Sequence, residues 1–279
     1  MPEGDILRRT ASRLDRALTG RVLSHAELRW PTAAEVNLVG RTVLGTVAYG
    51  KHLLSRFDDG RTLHTHLRME GSWSVARTGS AAAAGRGPHV RVVLGAVTWS
   101  AVGNRIGMLD VVRTRDEHTL IGHLGPDLLA PDFAATGLAE ALARIGGRAD
   151  TPIAEVLLDQ RVVAGIGTVF AAESLYAHRL WPWTPAGQLV DPGAVLLTAR
   201  ALMARSVAAP LPTATGEIGR GRTSLVHGRA NRPCRRCGTP IEVGSAFRPP
   251  MDRPVFYCPT CQSPPRQTPP RRALTSEPT

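Results

Sequence analysis

Cysteine is scarce in this chain: there are four, and none precedes Cys234. A secreted fold stapled by disulfides is thereby excluded, and the late cluster reads as a set of metal ligands. Long apolar runs are missing as well, none approaching the roughly 18–20 residues of a membrane span. The start, MPEGDILRRT, has acids where a signal peptide wants basic and apolar residues. A cytoplasmic protein with no membrane partner is the expectation. Negative charge is the third shortage, because 23 Asp and Glu face 34 Lys and Arg, a formal net charge of +11 in 279 residues. Such an excess points to an anionic partner, nucleic acid first, although a basic enzyme without a polyanion has the same arithmetic. The length suits two domains or a core with a small appendage.

What is present is arranged in blocks. From Asp5 to Leu18 apolar residues recur at Leu7, Ala11, Leu14, Ala17 and Leu18, a helical spacing that Gly20 ends at a C-cap. From Arg21 to about Val112 short Val-, Leu- and Thr-rich runs alternate with turns such as Asp58-Asp59-Gly60, which predicts antiparallel strands in a sandwich or barrel. The Ala- and Gly-rich stretch from Arg77 to Pro88 is expected to pack poorly and to form a mobile surface loop. After Pro131 the period turns helical, through LAEALARIGG, TPIAEVLLDQRVV, VFAAESLYAHRL and GAVLLTARALMARSV. Thr151 is expected to cap one helix with Pro152 in its first turn. Ala164-Gly165-Ile166-Gly167-Thr168 is expected to join two helices by a very tight turn. From Ser263 the chain is Pro-rich and polar, which predicts disorder.

Two motifs carry chemistry. Cys234-Arg-Arg-Cys237 and Cys258-Pro-Thr-Cys261 are two CxxC knuckles with 20 residues between them. Four thiolates can close a tetrahedral Zn²⁺ shell, so the ion is expected to be structural. At the other end, removal of Met1 would leave Pro2 as a secondary amine with a pKa near 8, partly neutral at physiological pH. Such an amine can attack an electrophilic sugar carbon and form an iminium that persists as an electron sink. Glu3 beside it could move protons. On these few residues alone, MPEG also reads as an ordinary exposed start.

Taken in order, MPEGD, YGKHLL (49–54), HLRMEGSW (66–73), DQRVVAGIGTVFAAESL (159–175) and RPCRRCGTPI followed by DRPVFYCPTCQ resemble the formamidopyrimidine-DNA glycosylase and endonuclease VIII family. The likeness covers nearly the whole chain to Gln262. It implies an α+β fold with a sandwich and leading helix in 1–118, a helix-two-turn-helix DNA-binding domain in 119–222, a zinc finger in 223–262 and a tail in 263–279. It implies that Pro2 is the Schiff-base nucleophile, Glu3 the general acid or base, Lys51 the β-elimination lysine, and Arg253 a grip on the phosphates that assists δ-elimination. Thr168 would bind phosphate at a helix start, where the family more often has Asn. Met69 would fill the gap left by an everted nucleotide, with Arg68 facing the opposite base; on its own, Met69 reads as a core residue. Ile6 departs from the second acid that many members carry.

The resemblance therefore implies a monomeric DNA glycosylase and abasic-site lyase acting on damaged DNA, with oxidised pyrimidines favoured. Alternatives are 8-oxoguanine or formamidopyrimidine specificity, a catalytically silent or abasic-site-only relative, and a zinc-ribbon transcription accessory.

Overall fold

The computed structural model describes residues 2–264. Helix α1 (Gly4–Leu18) buries Leu7, Leu14 and Leu18 along one stripe, as its spacing dictates, and Gly20 follows it with φ +73°. Eight strands follow: β1 (His25–Leu28), β2 (Val43–Tyr49), β3 (His52–Phe57), β4 (Arg61–His66), β5 (Ser72–Arg77), β6 (Val90–Gly95), β7 (Trp99–Asn104) and β8 (Met108–Arg113). They form two antiparallel sheets, ordered β2-β3-β4-β8 and β1-β6-β7-β5. Leu53, Leu63 and Leu109 from the first sheet meet Val92, Leu94 and Ala101 from the second in a shared core, with the α1 stripe part of the same cluster.

The stretch from Arg77 to Pro88 is largely exposed, as expected, but it is anchored at two points. Residues Ala81–Ala83 form a 3-10 turn with Ala83 buried, and Arg29 donates to the Gly85 carbonyl at 2.9 Å. Small residues let this segment lie close on β6, where a side-chain carbon at Gly85 would meet Val93. Packing is tighter than its composition suggested only at Ala83 and Gly85.

Helices α2 (His118–Ile121), α3 (Leu138–Gly146, entered through a π-helical turn at Phe133–Gly137), α4 (Ile153–Leu158), α5 (Thr168–Ala177) and α6 (Pro192–Ala208) build the second unit. Thr151 does not cap α4. Pro152 occupies that position with ψ 134°, and the first free N–H groups go to distant carbonyls, Ile153 to Thr184 and Ala154 to Pro182. The link into α5 is also longer than the glycines suggested, running from 159 to 167. Gln160 shapes it, its amide donating to the Leu158 and Ile166 carbonyls and accepting from Gly165 N.

Strands β9 (Glu242–Ala246) and β10 (Arg253–Tyr257) pair as an antiparallel hairpin after the first cysteine knuckle. Trp181 and Trp183 meet Tyr257 edge-on at 5.1 Å each, fastening the hairpin to the helices. No helix among the described residues is long and apolar enough to cross a membrane. The expected disordered tail lies, past residue 264, outside the described residues.

Candidate active site

Glu3 is the most firmly held residue of the N-terminal segment. Its backbone starts α1, but its carboxylate reaches the start of α5, accepting from Gly167 N at 2.9 Å and Val169 N at 2.8 Å. Those N–H groups lack helical partners, and their local positive field suits an anion. Gly4 N donates to the Gly165 carbonyl at 2.9 Å, so the segment is pinned twice to the 159–167 link. Close approach requires the glycine here: a side-chain carbon at Gly167 would lie 2.4 Å from Glu3 Cδ. With 2% of its surface exposed, Glu3 has its carboxyl pKa raised by burial, against the pull of Lys51 and the amides. Half-buried Pro2 precedes it directly.

Lys51 enters from the sandwich. Gly50 and Lys51 are the two-residue turn between β2 and β3, and Gly50 has φ +55°, a conformation glycine supplies at the first central position of a type II′ hairpin. The turn presses on the link, since a side-chain carbon at Gly50 would come within 2.7 Å of Ala164 Cβ. Burial pushes the Lys51 amine below the usual lysine range; Glu3 opposes that shift and Arg253 adds to it. Lys51 lines a cavity of about 490 Å³ with Gln160, Thr168, Phe247, Met251 and Arg253. It is also the only lysine in the chain, every other basic side chain of that class being Arg.

Glu3 itself lines a second cavity of about 280 Å³, with Ile6, Phe170, Thr213, Thr223 and His227. His227 was not foreseen from sequence. Its ring packs on Phe256 with centres 4.8 Å apart, Nε2 lies 3.4 Å from Thr168 Oγ1, and burial pushes its pKa down to about 4. Gln160 and Gly167 were likewise missed, although both lie inside the DQRVVAGIG segment.

The predicted residues thus divide. Pro2, Glu3, Lys51, Thr168 and Arg253 gather where the sandwich, the helices and the hairpin meet. Arg253 opens β10, and its guanidinium donates to the Asp252 carbonyl at 3.0 Å. Arg68 and Met69 stand apart on the β4–β5 loop, tied back through His66, whose Nδ1 accepts from Arg68 N at 2.9 Å. Arg68 has φ +50°, and Met69 is 65% exposed, so the reading of Met69 as core fails.

The four cysteine sulfurs all lie within 4.8 Å of one another, with Cys237–Cys258 at 3.4 Å and Cys234–Cys261 at 3.9 Å. A tetrahedral shell with Zn–S of about 2.3 Å needs edges of about 3.8 Å, so the donors fit. Backbone N–H groups of Arg236 and Cys261 point at Cys234 and Cys258 sulfurs, each at 3.4 Å, which favours thiolates. Tyr176, near the end of α5, has its hydroxyl 3.2 Å from Cys234 Sγ.

Comparison with known proteins agrees with this architecture. Residues 1–125 match the formamidopyrimidine-DNA glycosylase N-terminal domain and residues 124–212 its H2TH domain. A protein of Streptomyces coelicolor named probable endonuclease 8 2 is 44% identical, the match covering 95% of both chains. A DNA-(apurinic or apyrimidinic site) lyase of Mycolicibacterium smegmatis is 38% identical over 94% of this chain and 99% of its own. Among solved structures, a formamidopyrimidine-DNA glycosylase of Lactococcus lactis bound to abasic-site DNA has the same fold, with a TM-score of 0.78 at 20% identity over 94% of this chain and all of its own.

Proposed function

The chain belongs to the formamidopyrimidine-DNA glycosylase and endonuclease VIII family of DNA-repair enzymes, and from that premise we propose that it is a bifunctional glycosylase and abasic-site lyase working through Pro2. One observation carries the reading: the carboxylate next to Pro2 is fixed on the α5 amides within electrostatic reach of Lys51. A nucleophile that must meet a single sugar carbon needs such a fixed base of operations. Damaged DNA would lie along the basic junction between sandwich, helices and hairpin, as a protein with this charge favours.

The Pro2 nitrogen attacks C1′ of the everted nucleotide and the base departs with a proton supplied through Glu3; the C1′–O4′ bond then opens, O4′ taking up a proton as the proline nitrogen loses one, and the resulting iminium links enzyme and open-chain sugar. That cation acidifies C2′, and loss of the C2′ proton expels the 3′ phosphate. Lys51 and Arg253 supply positive charge where the leaving phosphates gain negative charge, for β- and then δ-elimination. Thr168 contributes a hydroxyl at the α5 start. Met69 fills the vacated stack and Arg68 faces the unpaired base. Zinc on Cys234, Cys237, Cys258 and Cys261 closes the finger that presents Arg253. Oxidised pyrimidines are the favoured lesions, as the resemblance of the MPEG start and the Arg253-Pro254 finger to the endonuclease VIII branch implies, and the enzyme acts as a cytoplasmic monomer.

Borohydride trapping on duplexes carrying thymine glycol, dihydrouracil, 8-oxoguanine or an abasic site tests this. Covalent adducts are expected, strongest with the pyrimidine lesions. Lys51→Arg leaves the terminus as the sole amine, so the adduct should survive it while strand cutting slows. Pro2→Leu, which retains Met1, should abolish the adduct. No adduct on any duplex, or one that vanishes with Lys51→Arg and survives Pro2→Leu, defeats the assignment.

A further inference from the structure

One side of α1 carries positive charge that no step of the chemistry uses. Arg9, Arg13 and Arg16 recur at helical spacing beside the buried stripe, and Arg13 and Arg16 are exposed. Arg9 is fixed in place. Its guanidinium donates to the carbonyls of Ser206 at 2.9 Å and Pro210 at 2.7 Å, and to that of Ala209, where α6 has run out of helical partners. The three arginines line a cavity of about 480 Å³ with Val207 and Pro212 from the end of α6 and the chain beyond it. Arg13 and Arg16 also line a smaller niche of about 220 Å³, whose apolar part is Ala17, Val75 and Trp99. The β5–β7 register sets Arg77 opposite Trp99, and its guanidinium carbon stands 4.5 Å from the centre of the indole.

Neutralisation is uneven along this helix. Arg8 pairs with Asp127 at 2.9 Å, whereas among the described residues Arg13, Arg16 and Arg77 have no ion pair. Asp15, the acid nearest to them in sequence, is turned to the sandwich, where it accepts from Thr46 N at 3.0 Å. Three guanidiniums around an apolar niche are thus open to negative charge from outside the molecule. The groove is separate from the cleft. Arg13 and Arg16 follow Glu3 by ten and thirteen residues along α1, roughly 15–20 Å at about 1.5 Å per residue. The lining selects the occupant. Guanidinium forks pair with carboxylates two bonds at a time, and the niche has room for one large apolar side chain. A duplex would offer phosphates to the arginines and nothing to Ala17 and Val75, and Arg77 already covers one face of the indole on which a base could stack.

We infer that this groove docks a flexible acidic segment of a partner protein, with carboxylates on Arg13, Arg16 and Arg77 and one aromatic side chain in the niche against Val75 and Trp99. The surface stands apart from the Schiff-base chemistry, so groove and cleft can be filled at once. A tie of this kind keeps the enzyme beside its partner while the cleft stays free for DNA, raising its local concentration with no change in the rate of cutting. Charge governs how fast the segment arrives and how strongly salt weakens it, and the seated ring governs which segment is accepted.

Fluorescence anisotropy of a labelled peptide of about nine residues, glutamates flanking one phenylalanine, tests this on the full chain. A second peptide has alanine in place of the phenylalanine. Saturable binding of the first is expected, weakened about tenfold or more by Arg13→Glu with Arg16→Glu, and about fivefold or more in the alanine peptide. Both arginines are exposed, so the double variant should cut an abasic-site duplex at the wild-type rate, which also shows that it has folded. Peptide affinity should hold within about twofold when a duplex fills the cleft. No binding to the wild type, a loss of less than about twofold in the double variant, or equal binding of the two peptides overturns the inference. Slowed cutting by the double variant gives the arginines to the substrate DNA and overturns it as well. So does displacement of the peptide by the cleft-bound duplex, which puts the peptide in the cleft, or by a short oligothymidine added after that duplex, which makes the groove a nucleic-acid site.

Discussion

The sandwich and the finger are held together by different means. In the sandwich, Leu7, Leu53, Leu63, Phe57 and Leu94 belong to one continuous apolar cluster that both sheets and α1 share. Around the cysteines the buried apolar group is small, chiefly Ala172, Tyr176, Val226 and Ile241 with two of the thiols. At about 25 cal/mol for each Å² of apolar surface buried, the first can fold on its own account and the second cannot. Burial fixes one region; the other needs a further tie, which a metal ion held by the four thiols would supply.

The hardest test of that contrast is metal removal. Structural zinc sites contribute about 10–16 kcal/mol, so a strong chelator should unfold the β9–β10 hairpin and abolish strand cutting. Trp181 and Trp183 emission, set by their contact with Tyr257, should change, while the β-sheet circular dichroism persists. Unchanged emission after the metal is lost would show that the finger needs no ion. Next in size, Leu63→Ala should destabilise the sandwich by about 2–5 kcal/mol in denaturant melts, equally with and without chelator.

A third test is acid. His52 and His66 stay neutral in the fold with pKa values of about 3 and 4, whereas in the unfolded chain they protonate near 6.5. Below pH 6.5 the unfolded state binds protons the native state refuses, so stability falls as pH drops toward 4. Discounted for partial exposure, the loss should be about 1–2 kcal/mol, and His52→Gln with His66→Gln should flatten the slope of stability against pH. The smallest effect is on the finger side: Tyr176→Phe removes the hydroxyl beside Cys234 and should cost about 1 kcal/mol. Metal affinity, measured by competition with a chromogenic chelator, should drop by about tenfold or more.

Much of this was legible in the chain. The α1 stripe and the paired knuckles are short-range patterns with a single physical solution, and both formed where they were read. Local rules lost where distant groups took over. Thr151 has the chemistry of a cap, but carbonyls of Thr184 and Pro182 claimed the N–H groups it would have served. Pro2, Glu3, Lys51 and Arg253 were named through the family's motifs, yet no local pattern tells that Glu3 would cap a helix 164 residues away, nor that Gln160 would shape the link between them. The pairing of His64 with Asp110 depended on strand register, which sets them opposite each other across 46 residues and leaves no local trace.

That the chain holds one lysine, set beneath the junction of sandwich and link, has a practical consequence. Apart from the chain terminus, an acylating reagent meets a single amine, so each covalent mark registers as one mass increment at one address. Titrating the reagent with and without bound duplex would footprint the heart of the cleft directly, with no background from other side chains of its kind.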